Sequence, residues 1–101
     1  MDTNISKILK MDASLLQERA EMLKAMAHPT RIAMIEMLYQ DEELTVTEIH
    51  NTLKIEQAVA SNHLSILKSR NILKCRREGK KMFYSLKVEN VHNVVQCMLD
   101  H

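Results

Sequence analysis

Gln57, Ala58, Ser61, Asn62 and Ser65 place amides, hydroxyls and a methyl at spacings that recur on one side of a helix. Gln and Asn amides can bond the edge of adenine in two places at once. Ser can donate or accept there, and Ala can meet a thymine methyl. The same residues also suit an ordinary solvated helix surface, so their meaning depends on their surroundings. The next stretch of chain is basic. From Lys68 to Lys81 it carries Lys68, Arg70, Lys74, Arg76, Arg77, Lys80 and Lys81 against one acid, Glu78. The formal charge of the whole chain is only +1, so this stripe is a local concentration. Bases grouped beside a polar helix are an electrostatic footprint for phosphate; the plainer alternative is a solvated hairpin. Phosphate contacts expected from this stripe are Lys68, Arg70, Arg76, Arg77, Lys80 and Lys81. Thr45 and Thr47 could add hydroxyl donors near a helix start, or act only as caps. His63 also has two readings, a hydrogen-bonded structural residue or a phosphate contact.

Other chemistries find less support. There is no nucleophile–base arrangement, no Gly-rich phosphate loop and no pair of carboxylates set for a pocket, so an enzyme is not expected. The cysteines, Cys75 and Cys97, do not form a secreted disulfide framework. Cys97 and His101 are four apart and share a helical face. Two such pairs across a dimer could hold zinc, which takes tetrahedral N and S donors. Against this, a lone Cys in a helix is more often a small buried hydrophobe, and no metal or other cofactor is favoured.

The elements that would position these residues can be read along the chain. Its 101 residues, 46% of them hydrophobic, suit one domain over 1–101, with 1–12 as an N-terminal segment that could be mobile. Two Tyr, one Phe and no Trp leave Leu, Ile, Val and eight Met to fill the core. Apolar spacing predicts a helix over 13–27, through Leu15, Leu16, Ala20, Leu23 and Met26. Pro29 interrupts it and suits the first position of a new helix, with His28 at its start. Thr45 and Glu48 have the spacing of a capping box, with Thr47 as the competing cap. That box opens a short helix to about Leu53. A turn through Lys54 and Ile55 leads to a helix over 57–70, with Val59, His63, Ile66 and Leu67 on one side. Two short helices so joined make a helix-turn-helix. Alternation over 72–78 and 81–86 about Gly79-Lys80 predicts a basic β-hairpin. A last helix over 88–99 puts Val88, Val91, Val95 and Met98 on one stripe suited to a helix–helix seam. The fold class is therefore mainly α with a small β-hairpin, a winged helix-turn-helix. No apolar run approaches the roughly 20 residues that cross a bilayer, and no N-terminal stretch looks like a secretory leader, so a cytoplasmic protein is expected.

Three segments resemble the ArsR/SmtB metalloregulator family. Leu23-Lys24-Ala25-Met26-Ala27-His28-Pro29-Thr30-Arg31-Ile32 is similar to its second-helix entry. Ala58-Val59-Ala60-Ser61-Asn62-His63-Leu64-Ser65-Ile66-Leu67-Lys68 is similar to its recognition helix, and Arg77-Glu78-Gly79-Lys80-Lys81-Met82-Phe83-Tyr84-Ser85-Leu86 to its wing. The resemblance implies a homodimeric repressor, joined through the first and last helices (Leu15, Leu16, Val88, Val91, Val95, Met98). It implies release from a palindrome in double-stranded DNA when an inducer arrives. The family's sensing sites are not reproduced. Thr45-Val46-Thr47 stands where a Cys-x-Cys metal site would lie, and Val88 and Asn90 where an Asp-x-His pair would. Glu36 replaces the second-helix cysteine of a thiol switch, and Cys97 falls earlier than its partner would. The alternative reading is a winged-helix protein-interaction module whose basic wing meets an acidic partner.

Overall fold

The computed structural model describes residues 13–87 and 90–99, without the side chains of 90, 98 and 99. The expected roles of Val88, Met98 and His101, and of the segment 1–12, lie outside the described residues. The element order is α1 (Ala13–Met26), α2 (Pro29–Asp41), β1 (Leu44–Thr45), α3 (Val46–Leu53), α4 (Gln57–Ser69), β2 (Leu73–Glu78), β3 (Lys81–Leu86) and α5 (Asn90–Leu99).

Local chemistry accounts for most boundaries. Pro29 opens α2, where its missing N–H loses nothing. His28 is the N-cap, its Nδ1 accepting from the Thr30 N–H at 3.1 Å. Thr45 caps α3 in a full capping box: the Glu48 N–H donates to Thr45 Oγ1 at 3.2 Å, and the Thr45 N–H donates to Glu48 Oε1 at 2.9 Å. Thr47, the competing cap, lies inside the helix. Between α3 and α4, Lys54 takes a left-handed backbone (φ 57°), and the Ile55 N–H donates to the His50 carbonyl at 3.1 Å. That tight link makes the helix-turn-helix.

The sheet has order β1-β3-β2, all antiparallel. The hairpin turns at Gly79 (φ 65°), with Glu78 opposite Lys81 and Arg76 opposite Phe83. The third strand extends the expected hairpin: Leu44 pairs with Tyr84 and Thr45 with Phe83. This ties the wing to the residue that starts α3.

The core lies among the helices and the base of the hairpin. Met34, Ile35, Leu38, Ile49, Leu64, Leu67, Ile72 and Leu73 are fully buried. Two helix faces differ from expectation. On α4 the inward residues are Ala60, Leu64 and Leu67, whereas Val59 is 42% exposed. Ala60 is fully buried, and a close-packed interior leaves little room for a larger side chain at that position. On α1 the inward residues are Met22, Ala25 and Met26, and Leu16 and Leu23 remain exposed.

Candidate nucleic-acid interface

All five candidate base-reading residues of α4, Gln57, Ala58, Ser61, Asn62 and Ser65, are exposed, as is Val59 beside them. Burial of Ala60, Leu64 and Leu67 on the opposite side fixes which face the helix offers. Glu56, the N-cap of α4, makes no side-chain capping bond, so the amide donors of the first turn are left to solvent or a ligand.

The wing comes round to the start of this helix. Thr45, Thr47, Glu48, Gln57, Lys80 and Lys81 line one open cleft, floored by Phe83. Residues from α3, α4 and the hairpin tip thus converge, although the sequence separates them widely. Lys68, Arg77, Lys80 and Lys81 are exposed and make no ion pair among the described residues.

Three of the expected phosphate ligands are already engaged. Arg76 donates to both oxygens of Glu43, at 2.7 and 2.8 Å, and to Glu78 Oε2 at 2.7 Å, while its guanidinium sits 4.5 Å from the Phe83 ring centre. The Glu43 hydrogen bonds raise the Arg76 pKa, and in return Arg76 lowers that of Glu43. Arg70 pairs with Glu21 at 3.2 Å, joining the end of α4 to α1. The Thr45 hydroxyl donates to Glu48 Oε1 at 3.0 Å, and Thr45 holds that carboxyl below its ordinary pKa. These three residues thus brace the site through contacts within the chain, and both guanidinium groups keep N–H donors open to solvent. A bidentate Arg–carboxylate clamp is directional, and here it fixes the wing against the loop before β1. Its acid partner, Glu43, lies far back in the chain, so no local spacing announced it.

His63 is half-buried, and its Nδ1 accepts from Arg31 Nε at 3.0 Å. Burial, then His28 and Arg31, hold its pKa below the ordinary value.

The candidate sensing residues separate. Cys75 is half-buried and Cys97 exposed, and both are free thiols. Among the described residues no group of three or more His, Cys, Asp or Glu could hold a metal ion. Glu36 meets His92 instead. His92 Nδ1 lies 2.8 Å from Glu36 Oε1, off the angle for a hydrogen bond, and the ring stacks on Tyr39 with centres 3.4 Å apart. This buried contact joins α5 to α2. On the same helix Val91 and Val95, both expected at the dimer seam, are buried in the chain's own core, whereas Val94 is 43% exposed. Leu23, Met26, Ala27, Ile32, Val94 and Val95 line an apolar hollow where α1, α2 and α5 meet. Among the described residues no helix is long and apolar enough to cross a membrane.

Known proteins share this design. A family model described as a helix-turn-helix domain matches residues 26–76. The transcriptional repressor PagR of Bacillus anthracis is 34% identical over 88% of this chain and 89% of its own. Its crystal structure superposes with a TM-score of 0.77, covering 86% of this chain and 99% of that one at 33% identity. A homologue of the repressor SmtB from Synechocystis is 30% identical over 94% of this chain and 70% of its own. A homodimeric winged helix-turn-helix DNA-binding domain from Mycobacterium bovis, described as a possible ArsR-family regulator, has a TM-score of 0.78 at 30% identity, covering 87% of this chain and 81% of that one.

Proposed function

The chain belongs to the ArsR/SmtB family of DNA-binding transcriptional regulators, and from that premise we propose that it acts as a homodimeric repressor, released from an operator palindrome by an inducer. In this reading α4 enters the major groove of double-stranded DNA, where Gln57, Ala58, Ser61, Asn62 and Ser65 meet base edges. Lys68, Arg77, Lys80, Lys81 and Thr47 meet the flanking phosphates, which give affinity and register. The observation that carries this is the convergence of Gln57, Thr47, Lys80 and Lys81 on one cleft. A partner copy would cover the exposed Leu16, Leu23 and Val94. As a DNA-bound regulator the protein would work in the cytoplasm and carry out no enzymatic step.

Fluorescence anisotropy tests the reading. Reduced, metal-free protein is titrated onto DNA from upstream of its own gene and onto random DNA, at two salt concentrations. The expected result is selective binding that weakens steeply with salt. Replacing both Lys80 and Lys81 by Ala is expected to lower the salt slope by about one for each phosphate no longer neutralised. Equal, weak binding to both DNAs would favour a protein-interaction module.

A further inference from the structure

We propose that Arg31 is a positioning residue of the reading helix: it fixes the His63 ring with its proton on Nε2, and this neutral ring is a condition of operator binding. The inference rests on the reading of α4 as the DNA-reading helix.

Donors and acceptors assign the proton. A guanidinium has five N–H donors and no acceptor, and it stays protonated. Arg31 Nε lies 3.0 Å from His63 Nδ1, so Nδ1 must present a lone pair. A neutral imidazole carries one ring proton, which therefore sits on Nε2; the tautomer is assigned from its surrounding donors. Arg31 is itself held, because Nη1 donates to the Ala25 carbonyl at 3.1 Å. One side chain of α2 thus ties the last turn of α1 to the middle of α4.

The second histidine makes the arrangement sensitive. His28 Nδ1 accepts from the Thr30 N–H, and its ring lies 4.6 Å from that of His63, centre to centre. A proton on His63 Nδ1 would remove Arg31's acceptor. It would also set a new cation against a guanidinium and beside another imidazole. Burial and these same neighbours already disfavour the charged ring. Charges on the other elements around α4 are mostly engaged elsewhere. Glu21 of α1 pairs with Arg70, and Glu48 of α3 is bound by Thr45. His50 of α3 places Nδ1 3.2 Å from the Ile55 carbonyl. On β2, Arg76 is clamped by Glu43 and Glu78, which leaves Lys74 and Arg77, and these add only positive charge.

The native pKa of His63 lies below the free-histidine value of about 6.5, so the neutral form predominates at and above that pH. It is lost as pH falls through the lowered native value. A histidine that bound phosphate as a cation would behave oppositely, and operator affinity would rise on acidification.

The test pairs long-range proton–nitrogen NMR of the imidazole rings in the full chain with operator anisotropy from about pH 7.5 to about pH 5.5. We expect the Nε2–H tautomer at His63 and a pKa below the free value. In Arg31→Met the pKa should rise and the tautomers mix. Wild-type operator affinity should fall as pH drops through the His63 pKa, approaching roughly a hundredfold per pH unit well below it, because both rings of the dimer must be neutral. His63→Gln has an amide oxygen that can accept from Arg31 and no titration, so its own ratio of affinities between the two pH values should lose that part of the fall. An Nδ1–H tautomer, a pKa unmoved in folded Arg31→Met, or affinity that rises in acid would each overturn the proposal. The wild-type spectra and pH profile decide alone if Arg31→Met does not fold. A protein with the expected tautomer that ignores operator DNA at the upper pH would refute the DNA reading, and the pH claim with it.

Discussion

A hydroxyl that caps a helix is not free to serve a phosphate, and a guanidinium held by carboxylates is not a free cation. Thr45 and Arg76 are in these positions. Their substitutions should therefore report on folding, and those of Lys80 and Lys81 on DNA. Thr45→Ala removes the cap of α3 and should cost about 1 kcal/mol in urea unfolding. Arg76→Gln should leave the salt slope of operator binding unchanged, in contrast to the Lys80 and Lys81 replacements. The Glu43 partner adds a pH signature. Its pKa is lowered by Arg76, so the stabilisation is present above the ordinary value of 4.5 and lost as pH falls through the lowered one. Melting curves of wild type and Glu43→Gln should accordingly converge in acid and differ near neutrality. Gln57→Ala should narrow the discrimination between operator and random DNA by about 1–3 kcal/mol where its amide reads a base.

Within each element, what could be read from the sequence was what neighbouring residues decide among themselves. Pro29, the Thr45–Glu48 box and the Gly79 turn all act within a few positions, and all three stand where the sequence put them. Strand β1 was not legible, because two residues, Leu44 and Thr45, carry no periodicity. The inward face of α4 differs from the expected one because hydrophobicity ranks Val59 above Ala60, while close helix packing prefers the smaller side chain. The links Arg31–His63 and Glu43–Arg76 bridge distant positions, and a single sequence offers no signal for them. The left-handed residues supply a check at this scale. Lys54 has φ 57° between α3 and α4, where Gly would remove a steric cost of roughly 1 kcal/mol. Lys54→Gly should raise the unfolding free energy by up to that amount. Gly79 has φ 65° and open space about its missing Cβ, so Gly79→Ala should cost about 1 kcal/mol through backbone strain alone.

For the molecule as a whole, the apolar surface left exposed matters most. Leu16, Leu23 and Val94 are 44%, 57% and 43% exposed on α1 and α5, with Val95 buried beneath. The α5 stripe was visible in the sequence, but a stripe does not say whether it meets its own chain or another. Val91 and Val95 turned inward, and the exposed residues stand beside them. Charging this surface with Leu23→Glu and Val94→Glu should give a monomer in sedimentation equilibrium. Operator affinity should fall with it, since two half-sites can then no longer be held at once. The sheet has a consequence at this scale too. In the order β1-β3-β2 the outer strands are β1, only two residues long, and β2, in which Lys74, Arg76, Arg77 and Glu78 leave Leu73 and Cys75 as the uncharged members. An unpaired strand edge is a template for adding another chain, and short length and dense charge are two ways of blunting it. The bases proposed to meet phosphate would thus also blunt the edge along which one wing could zip onto the next in a crowded solution. Neutralising Lys74 and Arg77, which make no ion pair among the described residues, would unblock that edge while leaving the Arg76 clamp in place.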